Sequence, residues 1–210
     1  MIPTTGTPAS PPSPADLSVK PVLTGSRVLL RPFAEGDVPA MLDALRDPEV
    51  LRLTGSASEE FDEAATRAWY LSRNAQADRV DLAVVDRETG ACVGEVVLND
   101  WDPANRSCNF RTLLGPAGRN RGLGTEACRL IVAYAFEQLG LNRVSLGVYD
   151  FNPRARRAYE KAGFVAEGTE REALWADGRW VDSTLMSVLA REWAVHRGGM
   201  SGADIPTGTP

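Results

Sequence analysis

Two stretches and one isolated acid carry the residue types that chemistry needs. The first stretch is Arg119-Asn120-Arg121-Gly122-Leu123-Gly124-Thr125. It stands between a short apolar run, Phe110 to Leu114, and a pattern in which Ala127, Leu130, Ile131, Tyr134, Ala135 and Leu139 recur at helical spacing. A strand, a Gly-rich turn and a helix start in that order make an anion site. Glycine lets the backbone approach a ligand closely, and the turn N–H groups and the helix dipole favour phosphate. Arg119 and Arg121 add positive charge beside it. The turn has no Gly-Lys-Ser/Thr, which argues against a nucleoside triphosphatase. Gly122-Leu123-Gly124 matches a dinucleotide loop poorly, because no βαβ unit opens here and the loop before Gly122 is long. Taken alone, these residues also fit a tight strand-to-helix turn with solvated arginines.

The second stretch runs from Asn152 to Phe164. Asn152 is a good helix N-cap, Pro153 suits the first helical position, and Gly163 ends the helix. Within it Tyr159 offers a phenolic proton. It shares a helix face with Ala155, Ala158 and Ala162, so core packing explains it equally. Arg154, Arg156 and Arg157 fit a solvated helix face. The isolated acid is Glu95, inside the run Ala91 to Leu98. Burial there would raise its pKa and suit it to base catalysis, and an outward-facing strand residue is the alternative. Asp100 and Asp102, on the following loop, are lesser candidates.

The elements that must position these residues follow from pattern. Arg27 to Phe33 reads as a strand. Asp37 is expected to cap a helix that Pro48 stops, and Ser56 with Glu59 to form a capping box for a second helix. Leu82–Val85 and Ala91–Leu98 read as a hairpin, and 99–106 as a polar turn. After the Gly loop come the helix to Leu139, the strand Arg143 to Tyr149, the Asn152 helix, and a last hairpin around Asp177-Gly178. The expected order is β-α-α-β-β-β-α-β-α-β-β, a mixed α/β fold. Residues 1–21, rich in Pro, Thr and Ser, read as a disordered tail without a secretory signal pattern; 22–195 read as the domain and 196–210 as a second loose tail.

Composition bounds the reading. The chain has 210 residues, 43% hydrophobic and 24% charged, as an ordinary single globular domain has. A net charge of −5 argues against a general nucleic-acid binder. No apolar run is long enough for a membrane span. Cys92, Cys108 and Cys128 lack metal-ligand spacing and read as buried thiols of a reducing, cytoplasmic compartment. The single His196 lies near the C-terminal tail, so no metal and no Ser–His catalysis is expected.

Arg119-Asn120-Arg121-Gly122-Leu123-Gly124 resembles the pyrophosphate loop of the GNAT acetyltransferase superfamily, Gln/Arg-x-x-Gly-x-Gly/Ala. Asn152-Pro153-Arg154-Ala155-Arg156-Arg157-Ala158-Tyr159-Glu160-Lys161-Ala162-Gly163-Phe164 is similar to its second motif, Asn-x-x-Ala/Ser-x-x-x-Tyr-Glu-Lys-x-Gly-Phe. The Arg27–Pro32 strand, Asp37, Asp47-Pro48 and the Asp177–Asp182 hairpin resemble the branch of ribosomal-protein N-terminal acetyltransferases (RimJ/RimL-like). The likeness covers about Val22 to Trp193, and Ala155 departs from the Ser usual in that branch.

The resemblance implies a splayed, mostly antiparallel sheet and acetyl-CoA as acyl donor. Its pyrophosphate would lie on Arg119, Asn120, Arg121, Gly122, Leu123, Gly124 and Thr125. Its pantetheine would pair along Phe110–Leu114, with an N–H of Leu113 or Leu114 facing the oxyanion and Asn152 a further contact. Tyr159 would protonate the leaving thiolate, and Glu95 is the candidate general base. The expected function is acetyl transfer to a primary amine by direct attack in a ternary complex. The acceptor is a protein N-terminal α-amine or a small amine such as an aminoglycoside or polyamine. The alternative is a non-catalytic acyl-CoA-binding module. The Trp-rich end (Trp175, Trp180, Trp193) suits either a homodimer contact or a core.

Overall fold

All seven residues of strand β3 (Val80–Asp86) are buried, and its apolar ones divide between two cores. Val80, Leu82 and Val84 belong to one cluster, Ala83 and Val85 to the other. Successive side chains of a strand point to opposite faces, so β3 runs through the middle of a sheet covered on both sides. The computed structural model describes residues 16–55 and 62–198. The other strands are β1 (Leu23–Thr24), β2 (Val28–Arg31), β4 (Cys92–Asp102), β5 (Ser107–Leu114), β6 (Arg143–Tyr149), β7 (Val165–Ala176) and β8 (Arg179–Leu189). The helices are α1 (Val38–Arg46), α2 (Pro48–Thr54), α3 (Glu63–Ser72), α4 (Leu123–Glu137), α5 (Pro153–Lys161) and α6 (Ala190–Gly198). Among the described residues no helix is long and apolar enough to cross a membrane.

The strands form one sheet in the order β1-β2-β3-β4-β5-β6-β8-β7. Every pair is antiparallel except β5 with β6, which pair in parallel only at Ser107–Asn109 against Arg143–Ser145. From Phe110 onward β5 has no partner on that side among the described residues, and the sheet splays. This is the mixed α/β fold with a splayed, mostly antiparallel sheet that the sequence implies. α4 is apolar nearly all round, with Ala127, Cys128 and every residue from Leu130 to Ala135 buried, because it lies inside the larger core. α1 and α3 cover the opposite face with Val38, Met41, Leu42 and Tyr70.

Several local expectations give way to other partners. Asp37 does not cap α1 with its side chain; it holds the Arg31 guanidinium at 2.6 and 2.8 Å and accepts from Ala34 N at 2.8 Å. Pro48 ends α1 as expected, with Asp47 extended before it, but it also opens a further helix that the pattern did not announce. It sits in the first turn of α2, whose N-cap Asp47 accepts from Val50 N at 2.9 Å. α3 is capped by Asp62, while Ser56 and Glu59 lie outside the described residues. β4 continues to Asp102, so the turn is only 103–106.

The folded part begins before Val22. Leu17 is 1% exposed, and Lys20 Nζ donates to the carbonyls of Leu17 and Arg79 at 2.6 Å and to that of Gln76. At the other end α6 carries the chain past 195. It buries Trp193, which donates to Glu137 at 3.1 Å, and it lays His196 against Gly163. Residues 1–15 and 199–210 lie outside the description.

Candidate active site

The splay opens a cavity of about 1060 Å³ between the free end of β5 and the β6–α5 unit. One wall is the turn before α4. Its Gly115 donates to Val93 O at 2.9 Å, and Asn120 and Gly122 both adopt left-handed backbone, at φ 59° and 76°. Positive φ at two closely spaced positions turns the chain so that the following N–H groups face outward. The N–H groups of Leu123, Gly124 and Thr125 find no acceptor among the described residues, as the first turn of a helix requires. A Cβ on Gly124 would come within 2.8 Å of Leu114 Cδ1, so the turn lies close to the β5 end. Asn120, Gly122, Gly124 and Thr125 all line the cavity; Leu123 is buried beneath them.

The two arginines of this turn are not free counter-charges. The Arg119 guanidinium, 9% exposed, is held by Asp47 and Glu49 of α2, each at 2.6 Å, and by Leu114 O at 3.1 Å. Arg121 turns to Asp86 and Glu88, both at 2.7 Å, and lines a second, smaller cavity with Ser26 and Arg27. The reason is α2 and the β3–β4 turn, which supply carboxylates beside the loop. The hydrogen bond from Arg119 in turn holds the Asp47 carboxyl below the usual range. Positive charge along this part of the cavity comes instead from Arg154, Arg157 and Lys161, with Arg154 also paired to Glu49 at 2.8 Å.

Strand alternation separates Leu113 from Leu114. Gly115 N–H points to β4, so Leu113, two residues earlier and paired with Glu95, points there too. Leu114 then turns its N–H and C=O toward the gap, where its C=O accepts from Arg119. Of the two amides expected at the reacting carbonyl, only that of Leu114 faces the open edge.

Asn152 caps α5, with Oδ1 accepting from Ala155 N at 3.1 Å, and the residue lines the cavity. Tyr159 belongs both to the core and to the cavity wall. Its ring packs edge-on to Phe110 at 6.0 Å and against Phe164 at 6.0 Å. Among the described residues its hydroxyl has no hydrogen-bond partner, and burial pushes its pKa up, so the phenol keeps its proton. Ala155 stands on the same wall.

Glu95 is not an outward residue. Its side chain is 6% exposed, and its Oε2 is buried without a hydrogen-bond partner among the described residues. Burial pushes its pKa up to about 7, opposed chiefly by Arg111, whose Nη2 lies 3.8 Å from Oε1. Tyr70 of α3 lines the same end of the cavity, and burial, with Glu95 second, raises its pKa too. Tyr70, Arg111, Tyr149 and Ser183 form the far wall, and sequence pattern did not single them out because each reads as an ordinary core or strand residue. Asp102 does not take part. It ties the β4–β5 turn through Asn105, at 3.0 Å to its N–H and 2.6 Å to its amide, and neither it nor Asp100 lines the cavity.

Residues 27–165 match the domain family described as "Acetyltransferase (GNAT) domain". YdaF of Bacillus subtilis (strain 168), provisionally named a ribosomal N-acetyltransferase, is 35% identical over 104 residues, 50% of this chain and 57% of YdaF. A spermidine N(1)-acetyltransferase of Vibrio cholerae is 29% identical over 110 residues, 52% of this chain and 64% of that protein. The chain thus spans little more than half of the first relative and just under two-thirds of the second. The crystal structure of spermidine N-acetyltransferase from Vibrio cholerae in complex with CoA and spermine superposes with a TM-score of 0.73 at 23% identity. It covers 81% of this chain and 99% of that one, a likeness of fold.

Proposed function

This chain belongs to the GNAT acetyltransferase family, and from that premise we propose that it transfers an acetyl group from acetyl-CoA to a primary amine by direct attack in a ternary complex. The observation that carries the reading is the meeting, in one cavity, of a buried carboxylate, a buried phenol, an open strand edge and a helix N-terminus with free amides. Free N–H groups at Leu123–Thr125 and a glycine where a side chain would crowd Leu114 fit a pyrophosphate. The unpaired edge Phe110–Leu114 fits the amide-rich pantetheine. Bound there, acetyl-CoA supplies a thioester activated for attack.

The chain's own groups then have separate tasks. Glu95 takes a proton from the incoming ammonium. The Leu114 N–H faces the charge that develops on the carbonyl oxygen. Tyr159 protonates the departing sulfur. Asn152 braces the arm through its amide nitrogen, with Oδ1 committed to the helix cap. Arg119 acts through structure, by fixing the loop to α2, and Arg121 by fixing it to the β3–β4 turn.

Within the family we place the chain with the RimJ/RimL-like branch, supported by the likeness to YdaF. The acceptor is then a protein N-terminal α-amine or a small cationic amine such as a polyamine. The cytoplasm is the compartment proposed, on three free thiols. For assembly, the surface on offer is the Trp175–Trp180 end of the last hairpin, exposed at 58% and 56%.

The test is release of coenzyme A from acetyl-CoA with three acceptor pools: N-terminal peptides, aminoglycosides and polyamines. Release with one pool identifies the acceptor class. Tight binding with no release from any pool would favour the binding-module reading, to which Ala155 in the wall lends weight. A second prediction concerns the loop. Gly122→Ala puts a Cβ at φ +76° and within 3.0 Å of the Arg27 guanidinium. The left-handed backbone alone costs about 1–2 kcal/mol. The dissociation constant for acetyl-CoA, read by calorimetry, should rise at least ~5-fold, with the rate at saturation nearly unchanged.

A further inference from the structure

Glu95 is surrounded by charge from every element that packs on it. Its neighbours across the sheet are Leu113 on β5 and Ala83 on β3. Two residues along from these, on the same face, stand Arg111 and Asp81. Arg79, at the start of β3, Arg73, after α3, and Tyr70, on α3, complete the set.

Most of these charges are spoken for. Asp81 is fully buried and held bidentately by Arg79, at 2.6 and 2.7 Å. Arg73 donates to Trp69 O at 3.0 Å and to Ser72 Oγ at 2.9 Å, and lies over the Trp69 ring at 4.3 Å. Arg111 is different. Among the described residues its only charged partner is Glu95, at 3.8 Å, with its own side chain 53% exposed to the cavity and solvent. That distance is too long for a hydrogen bond. Glu95 therefore has a counter-charge that occupies neither of its oxygens: among the described residues neither accepts a hydrogen bond, Oε2 being buried and Oε1 open to the cavity.

We propose that Arg111 is a positioning residue for Glu95: it stands as counter-charge to the carboxylate at a distance that leaves Oε1, the oxygen open to the cavity, without a hydrogen bond and free to take the acceptor's proton. The inference rests on the proposed base role of Glu95. In the step it serves, one N–H bond of the ammonium breaks, the electron pair stays on nitrogen, and the proton moves to Oε1 and then to water. As the C–N bond forms and the C–S bond breaks, Tyr159 gives its proton to sulfur and the second proton leaving nitrogen restores the phenol, so one proton in all goes to water. A guanidinium bonded to Glu95 at 2.8 Å would favour ionisation further but would hold the oxygens that must accept. With no guanidinium, Glu95 would stay protonated under the conditions in which it must act.

The test needs no knowledge of the acceptor. In protein carrying 13C at the Glu carboxyl, the Glu95 signal is the one missing from Glu95→Gln, and its pH midpoint is read by NMR. Arg111→Gln should raise that midpoint by about one unit, equivalent to ~10-fold in the ionisation constant. Arg111→Lys should leave it within half a unit of the parent. An unmoved midpoint in Arg111→Gln, in protein whose spectrum is otherwise native, overturns the proposal. If the midpoint moves, turnover of Arg111→Gln should fall about fivefold at pH 7 and recover by pH 9. Equal loss at every pH would instead make Arg111 a structural residue. The base reading fails separately, if Glu95→Gln keeps the parent's turnover while Arg111→Gln still shifts the carboxyl.

Discussion

Replacing Glu95 by Gln will slow acetyl transfer at least ~100-fold at pH 7.5 and yet leave a protein that melts at a higher temperature than the parent at pH 8. The two effects have one source. The Glu95 carboxyl is buried and accepts no hydrogen bond among the described residues, and burial pushes its pKa up to about 7 from an ordinary 4.5. Below pH 4.5 both folded and unfolded chains hold the proton, and the residue has no effect on stability. Between 4.5 and 7 the unfolded chain gives up the proton and the folded one does not, so stability falls as pH rises. Above 7 both are ionised and the loss is complete, at about 3 kcal/mol. Gln has nearly the same shape and carries no charge to desolvate. The variant should therefore recover about 2 kcal/mol at pH 8, or about 4–8 °C in Tm for a domain of this size, and nothing at pH 4. Melting curves at the two pH values check the stability half, and pH–rate profiles check the other. The parent's rate should climb with pH through a midpoint near 7, and that limb should vanish in the variant.

The size of the rate loss also reports on the acceptor. An α-amine with pKa near ~8 is about 10% neutral at pH 7, a deficit of only ~1 kcal/mol, and water could relay its proton. A Lys side chain near ~10.4 carries a deficit of ~4–5 kcal/mol. A loss close to ~100-fold fits a terminal amine; a loss of ~10⁴ fits a more basic one. A Glu95→Gln enzyme with parental turnover would show that the carboxylate is a structural strain without a catalytic return.

How much of this could be read from residues alone follows local geometry. The Gly122 turn and the α5 cap were legible, because Gly and Asn report conformations that few other residues adopt: Gly122 is left-handed and Asn152 holds its own helix N-terminus. The strand order around β5 was implied by the paired motifs, and the splay followed from it. Ion-pair partners were not legible, since a guanidinium bonds whatever carboxylate the fold delivers. The partners of Arg119 were hidden because Pro48 reads only as the end of α1, and those of Arg121 because Asp86 and Glu88 read as plain turn residues. In the fold Pro48 opens a helix whose Asp47 and Glu49 claim Arg119. Glu95 was ambiguous for a related reason. Alternation says that it faces opposite to Val96, but in a strand covered on both sides neither face is water. The far wall, with Tyr70 and Arg111, depends on packing between segments distant in sequence and has no local signature.

Tyr159→Phe should lower the single-turnover rate at least ~10-fold, toward ~10²-fold, while the dissociation constant for acetyl-CoA stays within about twofold. The substitution removes one oxygen and nothing else. The ring contacts to Phe110 and Phe164 remain, and no protein hydrogen bond is lost, because among the described residues the hydroxyl has no partner. Melting temperature should hold, since the hydroxyl opens on the cavity and the ring stays packed. A packing residue would show the reverse pattern, with stability sensitive to the ring and rate indifferent to the oxygen. Single-turnover measurement matters because slow product release would mask a chemical defect in steady state. The raised pKa adds a constraint on pH. Burial holds the phenol protonated past its ordinary 10.0, so the parent should show no alkaline loss of rate from this group below pH 10. An alkaline limb that begins near pH 8 and persists in Tyr159→Phe would assign the proton donor elsewhere. An unchanged single-turnover rate would return Tyr159 to the core, with the sulfur protonated by water through the open side of the cavity.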